Sequence, residues 1–412
     1  MSTIRVGTIT YDWFPYDPLV HRIANAAVDA GYEMDIICAR QPHEKSYEVL
    51  GGVRVYRLPM NRVVGKSLLF TVLCWCWFLL QAAFKVSVLH LKRRYDVIHV
   101  HNMPDFLVFA SILPRLLGAK VILHVQDVSP ELMAAKAKGP AKKWLTHLAA
   151  LQERISTTYA DCVVTVGWPF EELLLQRGVP EEKIVTILNS ADPKVFPASR
   201  RCPAPADVTT TEKPPFIVMY HGTAAARNGL DTAVKAVALA LPEVPDLQLH
   251  IQGRGEHLHV VEQLAQELGV GDRVEFREPC SCANKIVEFV IHGDVGIIPY
   301  HKDGFMELIL PTKAYEFSWM HRPMIASDTS AIRSMFRPQS IALCDCNKPE
   351  EFARAIIDLY QHPEKRAQMV ADAAEDYRPF EWEVMAKRYQ QLLLSLSRRP
   401  MKTSFAHNAT QR

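Results

Sequence analysis

The chain has 412 residues, enough for two sizeable hydrophobic cores, and 49% hydrophobic with 22% charged residues is an ordinary globular composition. A formal net charge of +2 gives no bulk electrostatic basis for binding nucleic acid, so we exclude nucleic acid as a partner. Nine cysteines in no regular framework predict reduced thiols and a reducing compartment. Because residues 1–5 lead directly into a strand-like segment, we expect no signal peptide and a cytoplasmic protein.

Short β-branched runs alternate with helical stretches through the first half of the chain. The predicted strands are residues 4–10, 34–38, 53–58, 97–100, 121–125 and 162–166, with a helix over 19–30 after the first strand. Such alternation predicts a parallel sheet wound on both faces, which we assign to a first domain over residues 1–198.

A proline-rich segment over residues 199–215 predicts a linker, after which the alternation restarts. We expect a second domain of the same class over residues 216–380, a final helix over 381–397 and a disordered tail over 398–412. Two such domains leave a cleft between the carboxyl edges of their sheets, where ligands of open parallel sheets bind.

Residues 67–84 (SLLFTVLCWCWFLLQAAF) carry no charge, and Lys66, Lys85 and the run 92–94 flank them with basic residues. The segment is long enough to span a bilayer. However, a spanning helix would put the strands before and after it on opposite sides of the membrane. We therefore predict a helix near 67–91 that packs partly on the sheet and partly touches lipid, with Trp75 and Trp77 at the interface. A fully buried helix is the alternative.

The segment 310–317 (LPTKAYEF) predicts a turn that opens a helix. Pro311 sits where a missing N–H costs nothing, Thr312 or Lys313 begins the first turn, and Glu316 lies one turn along. A helix N-terminus favours an anion such as phosphate, and a carboxylate can accept two hydrogen bonds from a ribose diol. The pair of groups suits a nucleoside diphosphate, although an ordinary helix start with a solvated glutamate has the same pattern.

Four segments occur in a fixed order: residues 220–231 (YHGTAAARNGLD), 251–256 (IQGRGE), 294–300 (DVGIIPY) and 310–317. In the order and spacing of these segments the chain resembles the family-4 retaining glycosyltransferases of the GT-B fold. The members it resembles are of the bacterial exopolysaccharide or lipid-linked glycan type. The resemblance covers about residues 4–395. The resemblance implies an α/β fold of two Rossmann-like, doubly wound parallel-sheet domains that face a central cleft, with the last helix crossing back to the first domain.

The implied activity is transfer of a sugar, with retention, from a nucleotide diphosphate sugar donor to a lipid-linked or saccharide acceptor. The implied place is the inner face of the cell membrane, where the protein would be peripheral, and no cofactor or metal is required. The sugar, the base, the acceptor, the linkage and the oligomeric state stay open.

The resemblance also assigns donor-binding residues, with Arg227 on the diphosphate and Glu316 on the ribose. The family often has arginine and lysine at the positions of Thr223 and Asn228, so Arg227 must neutralise most of the charge, together with Lys313. The full donor set is Gly222, Thr223, Arg227, Gly253, Gly255, Arg277, Pro311, Thr312, Lys313 and Glu316.

The catalytic candidates are Glu307, Asp127 and Gln126. Leu308 stands where the family has its first glutamate, and the neighbouring Glu307 is expected to reach the sugar hydroxyls. The family often has His-Asp where this chain has Gln126-Asp127, and glutamine cannot shuttle protons. In retaining members the leaving phosphate is thought to take the proton of the acceptor, so transfer does not require that histidine.

The acceptor side is expected to include Asp17, Arg22, His101 and Asn102, with Asp12 as a further candidate, whereas His99 and His124 are expected in the core. Two other functions stay open. The departures at Gln126 and Leu308 also fit an inactive nucleotide-sugar-binding homologue, and a sugar-nucleotide epimerase of the same fold would not need the apolar helix.

Overall fold

The computed structural model describes residues 3–63, 67–136, 139, 142–201, 214–278 and 283–397. These residues form two α/β units, each built on its own sheet. Most of the predicted linker and the whole predicted tail lie outside the described residues.

The first sheet has eight strands. They are β1 Arg5–Trp13, β2 Glu33–Ala39, β3 Tyr47–Leu50, β4 Val53–Leu58, β5 Val97–His101, β6 Lys120–Val125, β7 Cys162–Thr165 and β8 Ile184–Thr186. The helices of this unit are α1 Pro18–Asp29, α2 Leu68–Arg93, α3 Ile112–Leu116, α4 Ser129–Lys136, α5 Lys142–Tyr159 and α6 Trp168–Gln176. The strand order is β3-β4-β2-β1-β5-β6-β7-β8.

The first sheet is not purely parallel, because β3 pairs antiparallel with β4 at one edge. Gly51 and Gly52 join the two strands with φ values of 54° and 87°, which a tight hairpin turn requires. The other strand pairs of this sheet are parallel, as predicted.

The second sheet has six strands in the order β11-β10-β9-β12-β13-β14, and its recorded strand pairs are parallel. The strands are β9 Phe216–Thr223, β10 Leu247–Arg254, β11 Val274–Arg277, β12 Val295–Ile298, β13 Met324–Ser327 and β14 Ala342–Cys344. The helices that follow the first sheet are α7 Leu230–Ala240, α8 Leu258–Glu267, α9 Ala283–His292, α10 Thr312–Trp319, α11 Ser330–Arg333, α12 Pro349–Gln361, α13 Pro363–Tyr377 and α14 Trp382–Leu396.

Strand order reverses direction between β1 and β5 in the first sheet and between β9 and β12 in the second. In open parallel sheets the crevice at such a switch point, beyond the carboxyl ends of the strands, is where ligands bind. The fold therefore provides one candidate crevice in each unit.

Helix α2 crosses from β4 to β5 of the one sheet, so it is part of the first unit. Its inner face buries Phe78, Ala82 and Val86, and its last residue is tied down because Arg93 Nε lies 3.1 Å from the buried carboxylate of Asp35. By length and composition this helix is also a candidate membrane span, with only 22% of its most apolar window buried.

The outer face of α2 shows that the fully buried alternative is wrong. Leu69 and Phe84 are 72% and 74% exposed. Of the two tryptophans predicted at the interface, Trp77 is exposed, and Trp75 is half-buried with its ring 6.4 Å from that of Phe106. Contact of this helix with lipid stays a prediction.

Helix α14 follows the second unit in sequence but packs on the first. Tyr389 Oη lies 2.9 Å from His99 Nδ1 in β5, Gln390 donates to the Ala26 carbonyl of α1, and Arg388 donates to the carbonyl of Thr186. These contacts connect the end of the described chain to the unit where it began.

Behind Tyr389 lies a cluster of three buried histidines, His99, His101 and His124. His99 Nε2 is 3.2 Å from His124 Nδ1, and their rings are tilted by 7°. Burial lowers the pKa of each imidazole, to about 3 for His101, so all three are neutral. His101 is therefore not exposed to the acceptor side as expected, because its side chain points into this cluster.

The histidine cluster predicts acid lability. These imidazoles bind protons in the unfolded chain below its pKa of about 6.5 but stay neutral in the fold, so stability is fully present above that pH and falls as pH decreases. Each such histidine contributes a slope of up to about 1.4 kcal/mol per pH unit. We expect His124→Asn to lower the free energy of unfolding at pH 7.5 but to flatten its decline from pH 6.5 to pH 4.5.

Urea denaturation at several pH values measures this slope. His259→Gln, at an exposed histidine of α8, is the matched control and should keep the wild-type slope. A His124→Asn slope equal to that of the wild type would contradict a buried neutral imidazole at this position.

Candidate active site

The candidate site lies at the switch point of the second sheet, where β9 and β12 end. A cavity of about 250 Å³ opens beside the ends of β9 and β10. Its lining residues are His221, Gly222, Thr223, Gln252, Gly253, Arg254 and Ile286.

Lys313 is a buried cation at this point. It lies in the first turn of α10, which begins at Thr312 after Pro311 as predicted. Its Nζ is 3.6 Å from the ring centroid of Tyr220 and 5.0 Å from that of Tyr300, so two aromatic faces hold the ammonium group. Burial lowers the pKa of Lys313 to about 7, against the opposing effect of Glu316.

Glu316 is a largely buried carboxyl one turn along the same helix. Burial raises its pKa to about 7, while Arg22 and Lys313 act in the opposite direction. Glu316 Oε2 lies 3.2 Å from His221 Nε2, but burial lowers the pKa of His221 to about 3, so this imidazole carries no charge.

Arg227 completes a group of three charged residues. It lies in the loop between β9 and α7, with its guanidinium 5.9 Å from the ring centroid of Phe305. All three charged residues act on Tyr300. Burial raises the pKa of Tyr300, the charge of Arg227 lowers this pKa, and the charge of Glu316 raises it. The ammonium group of Lys313 lies over the Tyr300 ring, 5.0 Å from its centroid.

Several buried polar atoms here have no hydrogen-bond partner among the described residues. They are Glu316 Oε2, His221 Nε2, Gln252 Oε1 and Arg22 Nε; the first two lie 3.2 Å apart but do not form a hydrogen bond of good geometry with each other. Leaving such groups unpaired costs about 1–3 kcal/mol each, and native structures rarely do so without a reason. A bound ligand with hydroxyl and phosphate groups would supply the missing partners.

Gly253 and Gly255 have a packing reason that the sequence did not reveal. A Cβ at Gly253 would lie 1.9 Å from the Gly222 carbonyl oxygen, and one at Gly255 would lie 2.1 Å from that of Ala224. Both glycines therefore let the end of β10 approach the end of β9. Gly222, which has a φ of 121°, and the exposed Thr223 line the cavity together with Gly253.

Two residues of the second unit make other contacts than expected. Glu307 Oε2 accepts hydrogen bonds from the backbone N–H and the hydroxyl of Ser330 at 2.8 and 2.6 Å, so it caps the start of α11. Arg277 pairs with Glu275 through two hydrogen bonds. Neither side chain points its charge at the group around Tyr300, so their roles toward sugar and base stay predictions.

Arg22 of the first unit reaches the site from across the cleft. Its guanidinium is buried, lies 5.5 Å from the ring centroid of Trp382 and donates to Asn189. Burial lowers its pKa, while Asp192 and then Glu316 raise it. Arg22, which was expected on the acceptor side, therefore also interacts electrostatically with the Glu316 carboxyl group on the donor side.

The remaining acceptor-side predictions fall mainly on structural contacts. Asp17 accepts from the backbone of Leu19 and Val20 and caps α1. Asn102 donates to Asp105 and to the Asp127 carbonyl, and accepts from the backbone N–H of Gln126. These contacts fix the two loops that follow β5 and β6.

Gln126 turns toward the histidine cluster, with its Nε2 2.9 Å from His101 Nδ1. The amide is half-buried and occupied, and this orientation differs from the expected contact with the transferred sugar. Asp127 beside it is half-buried at the carboxyl edge of the sheet.

The histidine cluster is also the one metal-like group found among the described residues. The ligand nitrogens of His99, His101 and His124 lie within 4.8 Å of one another. However, His99 and His124 are hydrogen-bonded to each other and all three stack closely, which is the arrangement of core imidazoles. The cationic groups of the candidate site, Lys313 and Arg227, suit an anion without a metal.

Sequence reasoning missed Tyr220, Tyr300 and His221 as members of the site. Tyr220 and His221 begin the first of the four quoted segments, and Tyr300 ends the third. Their position at the carboxyl ends of β9 and β12 was the available signal.

Comparison with known proteins identifies the class. A family model described as "Glycosyl transferase 4-like domain" matches residues 17–190, and one described as "Glycosyl transferases group 1" matches residues 205–376. The two matches span most of the chain and coincide with its two units. The protein therefore belongs to the family-4 glycosyltransferases of the GT-B fold.

Three similar proteins illustrate the relationship. The chain is 22% identical to a D-inositol 3-phosphate glycosyltransferase of Thermomonospora curvata, over 93% of this chain and 94% of that protein. It is 26% identical to WcaI of Escherichia coli, described as a colanic acid biosynthesis glycosyl transferase, over 64% of each chain. The structure of Anabaena HepE with UDP-glucose superposes with a TM-score of 0.68 at 14% identity, covering 95% of this chain and 100% of HepE.

The geometry around Tyr300 predicts the effect of removing two of its charged neighbours. We expect Arg227→Ala and Glu316→Ala each to weaken donor binding or turnover by about 2–4 kcal/mol, because each removes charge-assisted contacts. Calorimetry with UDP-, GDP- and dTDP-sugars measures the affinity. Arg354→Ala on α12 and Glu262→Ala on α8, both at exposed positions, are the matched controls. Unchanged affinity and turnover in both site variants would show that the site is misplaced.

The lowered pKa of Lys313 predicts a pH dependence of nucleoside diphosphate binding. Free protein loses the Lys313 charge above about pH 7, so the affinity should fall by up to about tenfold per pH unit above that pH. Lys313→Arg keeps its charge and should remove this decline, whatever its absolute affinity. Calorimetry of the same nucleotide from pH 6.5 to 9 compares the two slopes, and equal slopes would exclude Lys313 as the titrating group.

Proposed function

We propose that this glycosyltransferase moves a sugar, with retention, from a nucleotide diphosphate sugar to a lipid-linked or saccharide acceptor at the cytoplasmic face of the membrane. The observation that carries the donor half of this proposal is the arrangement of Arg227, Lys313 and Glu316 around Tyr300. Two cations suit a diphosphate, and a carboxyl group one helical turn away suits a ribose diol.

The unpaired buried atoms beside that group support the same donor. Glu316 Oε2 and His221 Nε2 have no hydrogen-bond partner among the described residues, and sugar or ribose hydroxyls could both donate to and accept from them. HepE, which shares the fold, binds UDP-glucose, so a nucleotide sugar is the ligand class that we assign to this cleft.

The acceptor side supports retention. Gln126 cannot take a proton, and its amide is engaged by His101, so we assign the acceptor proton to the leaving phosphate. Lys313 and Arg227 would stabilise the charge that develops on that phosphate as the glycosidic bond to it breaks. The new bond then forms on the same face of the sugar.

The acceptor half rests on the exposed apolar face of α2 and on two relatives. One relative is a colanic acid biosynthesis glycosyl transferase by description, and the other acts on D-inositol 3-phosphate by name. An exopolysaccharide or other lipid-linked glycan intermediate is the acceptor class that combines a saccharide with a membrane location.

A donor panel with a membrane extract from the native cell tests the function. We expect slow release of nucleoside diphosphate from one UDP-, GDP- or dTDP-sugar, and a new glycosylated product by mass spectrometry when extract is added. NMR of the product should show the anomeric configuration of the donor. An epimerised donor without transfer, or binding with neither hydrolysis nor transfer, would overturn the proposal, and an inverted product would overturn retention alone.

A further inference from the structure

Exposed apolar side chains of the first unit lie not only on α2 but also on two neighbouring helices, α3 and α5. The segment before α3 packs on α2 through Phe106 and Trp75, and on α5 through Phe109 and Tyr159, whose ring centroids are 5.0 Å apart. Arg115 of α3 lies over the same Tyr159 ring at 4.4 Å. Helices α2, α3 and α5 are therefore side by side.

Most of the exposed large hydrophobic side chains of the described protein lie on these three helices or directly after α3. We call this surface the apolar platform. Its members are Leu68, Leu69, Phe70, Leu73, Trp77, Leu80, Phe84, Leu91, Ile112, Leu113, Leu116, Leu117, Trp144, Leu148, Leu151 and Ile155.

The spacing within the platform gives each long helix one exposed stripe. On α5 the stripe is Trp144, Leu148, Leu151 and Ile155, at intervals of four, three and four residues. On α2 the seven members from Leu69 to Leu91 fall within about 100° of the helix circumference at 100° per residue. Helical stripes of this kind face an apolar environment, yet here they face outward.

The charges on the platform helices are mostly basic. The charged residues of α2, α3 and α5 are Lys85, Lys92, Arg93, Arg115, Lys142, Lys143, Glu153 and Arg154. Glu153 is the single acid among them, and it is buried and paired with Arg177 at 2.7 Å. Arg93 is paired with Asp35 and Arg115 with Asp161. The basic border therefore consists of Lys85, Lys92, Lys142, Lys143 and Arg154. An apolar surface with such a border complements an anionic bilayer, whose surface attracts lysine and arginine.

We infer that the apolar platform is a bilayer-docking surface on which α2, α3 and α5 lie together in the interface of an anionic membrane. A second copy of the chain is the less favourable occupant, because a symmetric contact would bring the basic borders of two platforms together. The inference extends the membrane part of the proposed function and does not depend on which sugar is transferred.

The platform also reaches the level of the cleft. Phe78 in the middle of α2 packs on Tyr11, which lies two residues before the end of β1, with ring centroids 5.0 Å apart. Ten residues of α2 precede Phe78, a length of about 15 Å. Because α2 runs back against the strand direction, its first turns extend past the carboxyl end of β1, where an acceptor on the membrane would enter.

Flotation on vesicles of phosphatidylcholine, with and without phosphatidylglycerol, tests the inference with the full chain and no donor. We expect the wild type to float with the anionic vesicles. Leu69→Glu/Leu73→Glu on α2 and Leu151→Glu/Ile155→Glu on α5 should each reduce the bound fraction at least severalfold. Leu239→Glu/Val260→Glu, at exposed apolar positions of α7 and α8, is the control and should bind as the wild type does.

The charged border has its own variant, Lys92→Glu/Lys143→Glu, which should remove the preference for anionic vesicles. Circular dichroism of every variant shows that it is folded. If the α2 variant no longer binds vesicles while the α5 variant binds as the wild type does, the docking surface is α2 alone and the platform is overturned. If the wild type instead fails to bind vesicles and forms a dimer in light scattering, and both the α2 and the α5 variants are monomeric, the face is assigned to a second copy of the chain. If the wild type floats with the vesicles but shows no transferase activity, the result would count against the proposed function alone and would leave the docking surface intact.

Discussion

The buried ammonium group of Lys313 is the constraint on which the site depends. Its position between the rings of Tyr220 and Tyr300 takes it out of water, and only the largely buried Glu316 one turn along opposes the loss of its charge. A buried cation and carboxyl group whose neighbours are left without hydrogen-bond partners are costly in a free protein. That cost is explained if the partners arrive with a ligand, and it makes the site ready for a diphosphate and its ribose.

Arg22 and helix α14 connect the two units near this site. Arg22 extends the electrostatic environment of Glu316 into the first unit, and Trp382 at the start of α14 lies against Arg22. Helix α14 then continues along the first unit to Tyr389 and the histidine cluster. A change in the position of one unit relative to the other would therefore alter the surroundings of the carboxyl group that is proposed to hold the ribose.

The sequence predicted the parts of the fold that depend on local patterns. The strands over 53–58 and 121–125 and the start of α10 after Pro311 were predicted correctly, since β-branched runs and a proline mark them. Strand β3 was missed because it is short and half-exposed, and β8 because it has three residues. The aromatic cage of Lys313 forms where the ends of two strands, β9 and β12, meet helix α10, which no single segment reveals.

One expected acceptor-side residue, Asp17, makes a structural contact that local chemistry could have suggested. Asp17 precedes a proline at the start of a helix, which is the usual place of a capping carboxylate. The account as a whole is tested most directly by the crystal structure of the protein with the nucleoside diphosphate that binds best. It should show the diphosphate between Lys313 Nζ and the Arg227 guanidinium, with the ribose hydroxyls on Glu316. A nucleotide bound elsewhere, out of contact with all three side chains, would contradict it.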